Sequence, residues 1–87
     1  MPTPYKYLTV GAGDQINALI RRLMDSTEGV VVFEIPEDVR VLRNEVNMRL
    51  LLFYAQKEAK QVVLISADTV VQRLAQDCGI RVYPGRE

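Results

Sequence analysis

Apolar positions along the chain alternate between two rhythms. Tyr5-Lys6-Tyr7-Leu8-Thr9-Val10 is a short stretch of aromatic and β-branched residues, which predicts a strand. Gly11-Ala12-Gly13 breaks it, and Asp14 stands where a helix N-cap is expected. Ile16, Leu19, Ile20, Leu23 and Met24 then recur at helical spacing and form one apolar stripe. Ser26-Thr27-Glu28-Gly29 ends that helix, with Gly29 suited to a cap or turn. Val30-Val31-Val32-Phe33-Glu34-Ile35 follows. It is almost continuously apolar, as in a strand covered on both faces, and Pro36 closes it.

Residues Glu37 to Arg43 form a connection that Val39, Val41 and Leu42 predict to be partly packed. The second helix is expected from about Asn44 to Ala59. Asn44 is its cap, Glu45 lies in the first turn, and Lys57 and Lys60 lie at the end where the helix dipole favours a cation. Gln61 to Ile65 is another apolar strand. Ser66-Ala67-Asp68 leads into a third helix, striped by Val70, Val71, Leu74, Ala75 and Cys78, which Gly79 ends. Ile80 to Tyr83 is a last strand, and residues 84–87 read as a tail. The order is βαβαβαβ. One α/β domain is expected over residues 1–87, ordered from about 5 to 83, with a four-stranded, mainly parallel sheet and three helices. The two most apolar strands, Val30 to Ile35 and Gln61 to Ile65, belong in its centre.

Composition narrows the chemistry. No histidine is present, which removes Ser-His-Asp and Cys-His nucleophile systems and the commonest metal ligand. One cysteine, Cys78, allows neither an internal disulfide nor a Cys/His zinc site. It lies on an apolar stripe, as a small core residue would. Eleven basic and eleven acidic side chains cancel, whereas phosphate-backbone binders carry a basic excess. No apolar run spans a bilayer, and Met1-Pro2-Thr3-Pro4 lacks the basic and apolar regions of a signal peptide. A cytoplasmic chain without cofactor, resident metal or nucleic-acid partner is the expectation, as is the absence of catalysis.

Three features compete for a binding role at the edge where parallel strands end. Gly11, Gly13 and Asp14 sit at a strand-to-helix turn, the place of a phosphate loop. The third glycine of a dinucleotide fingerprint is missing, because position 16 is Ile. The acids Asp14, Glu34, Glu37, Asp38 and Asp68 all end or follow strands; such a row can hold Mg²⁺, and Asp14 and Asp68 equally read as helix caps. Arg40, Arg43 and Arg49 gather near Asn44 and Asn47. They suit a carboxylate or phosphate, or ion pairs with Glu37, Asp38 and Glu45. A ligand site here would use Gly11, Gly13, Asp14, Arg43, Asn44, Ser66 and Asp68. Ser66 and Thr69 also read as cap residues.

The second helix carries more apolar surface than one small sheet can bury. Val46, Leu50, Phe53 and Tyr54 span one face, and Met48, Leu51, Leu52 and Ala55 continue around the cylinder. An interface centred on Met48, Leu51, Leu52 and Ala55 is one expectation; packing within the domain is the other.

The runs Val31 to Glu37, Val41-Leu42-Arg43-Asn44-Glu45-Val46-Asn47-Met48-Arg49-Leu50-Leu51, Tyr54-Ala55, Val63 to Asp68, Leu74-Ala75, Gly79-Ile80 and Val82-Tyr83 carry a resemblance. Over roughly residues 8 to 83 the chain resembles a small α/β domain at the N-terminus of bacterial envelope and membrane proteins, some described as baseplate J-like. That resemblance implies a bacterial source and a membrane-associated parent, with no catalytic residues. Val63 to Tyr83 is also similar to the last strand-helix-strand of STAS domains, which relay signals by binding partner proteins. The region Asp38 to Asn47 has no Ser, Thr or Gly to match their phosphorylatable motif. The expected function is a non-catalytic interaction or regulatory module that docks a protein partner, or a second copy, through helix 44–59. The alternative is a small-ligand, phosphate or Mg-nucleotide site at the sheet edge.

Overall fold

In a computed structural model, residues 4–85 are described. They form β1 (Tyr5–Thr9), α1 (Ile16–Asp25), β2 (Val30–Glu34), α2 (Glu45–Lys57), β3 (Gln61–Ile65), α3 (Thr69–Cys78) and β4 (Arg81–Tyr83). The four strands make one sheet in the order β1-β2-β3-β4, and every neighbouring pair is parallel. The expected α/β architecture is present, with β2 and β3 in the centre. The expected tail splits: Pro84 and Gly85 have no regular structure, and residues 86–87 fall outside the described residues.

Strand order fixes where the helices go. Each βαβ crossover is right-handed, so strands laid down in chain order put every helix on the same face. Burial follows that rule. Leu8, Phe33, Leu64 and Val82 share one register row, and Val31 and Val62 stand beside each other in another. Val31, Phe33, Val62 and Leu64 are buried, with Leu8 and Val82 packed at the margins. Leu19 and Leu23 of α1, Met48, Leu51 and Ala55 of α2, and Val71 and Ala75 of α3 complete that core.

The opposite face has no covering element among the described residues. It carries Tyr5, Tyr7 and Thr9 of β1, Val30, Val32 and Glu34 of β2, Gln61, Val63 and Ile65 of β3, and Arg81 and Tyr83 of β4. None of these residues belongs to the core, and Tyr5 and Tyr83 are 60% and 49% exposed. The composition of the valine runs predicts cover on both faces; among the described residues the helices supply it on one, and Val30, Val32, Val63 and Ile65 are half-buried on the other. Both faces are apolar, and among the described residues helices cover only one.

Helix ends are closed in two ways. The Asn44 side chain accepts from the Asn47 amide (3.1 Å), and Asp68 accepts from Val70 (2.8 Å), as the sequence predicts. α1 instead begins at Gln15, which makes no side-chain cap. α2 and α3 both finish in a Schellman motif. Lys60 and Ile80 amides donate to the carbonyls of Ala55 and Ala75, each at 2.8 Å. The left-handed residue is Gly79 (φ 81°) in one case and Ala59 (φ 55°) in the other. α1 has no left-handed residue. Its end at Ser26 is extended, Gly29 lies in the bend that follows rather than at the cap, and the Lys60 ammonium donates to the carbonyls of Leu23 and Ser26. In the turn that follows, the Ser26 hydroxyl (2.9 Å), and then Glu28's own amide, hold the Glu28 carboxyl below its usual range.

Two outcomes follow for stability, both read by urea denaturation. Leu51→Ala, on the packed side of α2, costs about 2–5 kcal/mol, whereas Val46→Ala on its outer side stays within about 0.5 kcal/mol. A left-handed conformation costs a non-glycine residue about 1–2 kcal/mol, so Gly79→Ala destabilises. Ala59→Gly has the opposite sign or is neutral, because the relieved strain outweighs or matches the roughly 0.5–1 kcal/mol of extra chain entropy.

Candidate functional site

Three loops meet at the edge where the strands end: residues 10–15, 35–44 and 66–68. The first is a turn closed twice. The Asp14 amide donates to the Gly11 carbonyl (3.1 Å), and the Gly11 amide donates to the Asp14 carboxylate (2.8 Å). Arg22 then pairs with the same carboxylate at 3.3 Å. Asp14 is thereby occupied, which explains why it does not cap α1. The second loop takes two successive turns, Pro36–Val39 and Arg40–Arg43. Val39 and Leu42 are fully buried, so the loop closes the end of the core. The Asn47 side chain holds it by donating to the Val41 carbonyl (2.8 Å).

The third loop is built on Ser66, the one buried polar residue among the described residues, at 2% exposure. Its hydroxyl accepts from the Asp68 amide (3.1 Å), and its carbonyl accepts from Gln72 (2.7 Å). Asp68 uses one oxygen as the cap of α3 and the other to pair with Arg43 at 3.1 Å. Arg43 therefore reaches across to the third loop. Its partner is not Glu37, Asp38 or Glu45, the nearby acids that the sequence suggests. Glu45 pairs with Arg49 on the helix itself.

The candidate ligand residues divide into two separate groups. Gly13 and Asp14 border an open depression of about 500 Å³ together with Ala12, Gln15, Ile16, Arg40, Val41 and Asn47. Gly11 stands behind it in the turn, and Arg43, Asn44, Ser66 and Asp68 lie outside that lining. Asp14 and Arg43, the two charges best placed to bind, are each neutralised by a neighbour. Arg40 is the exposed cation at the depression that makes no ion pair among the described residues. The acids do not converge: among the described residues no three Asp, Glu, Cys or His side chains form a group able to hold a metal. Ligands in open α/β sheets sit where strand order reverses, and the order β1-β2-β3-β4 has no reversal.

The apolar surplus of α2 is real, but it lies on the other side from the expected interface. Met48, Leu51 and Ala55 are at most 1% exposed and are core residues; Leu52 is half-buried against the same core. The side that faces outward is Val46 (66% exposed), Leu50 (36%) and Phe53 (56%), in one row at i, i+4 and i+7. The Phe53 ring meets Tyr54 edge-on at 5.2 Å, and the Lys57 ammonium lies 5.9 Å from the Tyr54 ring centre. Apolar residues are spread round most of α2, so spacing alone could not orient it. Cys78 is half-buried beside the core. Among the described residues no helix is long and apolar enough to cross a membrane.

The Arg43–Asp68 pair has a measurable asymmetry. Asp68→Ala removes both a helix cap and an ion-pair partner, costing about 1–2 kcal/mol. Arg43→Ala leaves the cap in place and costs under about 1 kcal/mol, because the pair is partly exposed. Thermal denaturation of both single variants and the double variant reads the difference. Compared with protein-family models, curated proteins and solved structures, the chain gives no match in any of the three.

Proposed function

We infer that this domain is a non-catalytic interaction module that docks a partner protein through the outward row of α2. The observation that carries the reading is the exposed line Val46, Leu50 and Phe53. A row at i, i+4 and i+7 is the pattern with which a helix enters an apolar groove. Isolated exposed apolar residues are ordinary, but three aligned on one helix make a continuous strip. Phe53 is the natural anchor, since aromatic side chains dominate the energetics of such contacts. Lys57 continues the row and makes no ion pair among the described residues, so an acidic group at the rim of the partner's groove complements it.

The sheet edge supports the ligand reading less well. Its central charges are internally paired, and the two depressions along it, one beside Asp14 and one beside Ser66, are separate and open. A bacterial envelope setting and a regulatory role remain part of the proposal, resting on the sequence resemblance.

The test is a comparison of binding with amide-shift mapping. A protein retained by the wild-type domain is purified and titrated against it. Shifts at residues 46–57, together with at least a tenfold loss of affinity in Phe53→Asp, are expected. Shifts confined to residues 11–15, 36–44 and 66–69, or binding unchanged by Phe53→Asp and Val46→Asp, would overturn the reading. The same shifts on adding Mg²⁺ with nucleotide would establish the ligand alternative.

A further inference from the structure

We draw no further inference here: the strongest candidate, the depression at the N-terminus of α1 where Gln15 makes no side-chain cap and Arg40 makes no ion pair among the described residues, belongs to the sheet edge already described, and apart from that exposed cation nothing in the structure points to a ligand there.

Discussion

Four parallel strands laid down in chain order, each joined to the next by a helix of the same hand, leave each helix one side of the sheet to occupy. Most other features of the domain follow from that constraint. Helices α1, α2 and α3 form a single layer, with α2 in the middle and contacts to α1 on one side and α3 on the other. The core lies between that layer and one face of the sheet. Val39 and Leu42 seal it at the strand ends. The other face, with its Tyr and Val side chains, meets no helix among the described residues. The strand order also has no reversal, which removes the crevice where folds of this kind place a nucleotide.

This arrangement gives a two-layered molecule with two different outer surfaces. On the sheet side the apolar area is broad and carries Glu34 and Arg81. On the helix side it is a narrow row, Val46, Leu50 and Phe53, bordered by charged residues. Between them, the loops at the strand ends consume their own polar groups. Asp14 binds Gly11 and Arg22; Asp68 binds Val70 and Arg43; Ser66 holds the Asp68 amide. Such side chains order the backbone, and their charge is already answered.

Much of this was legible before the structure. The alternation of apolar rhythms marks all seven elements, because strands and helices bury residues at different periods. Asn44, Asp68 and Gly79 act as their residue types predict, since capping depends on local geometry alone. Where reading failed, a long-range or competing interaction decided. Asp14 is a good cap that Gly11 and Arg22 take first. Arg43 has three acids close in sequence and pairs with one 25 positions away. Met48, Leu51 and Ala55 lie on a helix with apolar residues around most of its circumference, and its narrow polar strip, Glu45, Arg49 and Gln56, does not show which side turns inward. Val30, Val32 and Val63 suit a strand whether or not anything covers them, because β-branched residues favour extended backbone in either setting.

Lys60 gives the fold an order of assembly. α1 lacks a left-handed residue at its end, and its last carbonyls are met by an ammonium 37 and 34 positions further along the chain. During synthesis α1 emerges before Lys60 does. Its final turn gains these two bonds only when α2 has closed and β3 lies beside β2. A break before residue 60 separates α1 from the side chain that satisfies its last carbonyls. Cooperativity across these 87 residues rests partly on one side chain that finishes a helix it does not belong to.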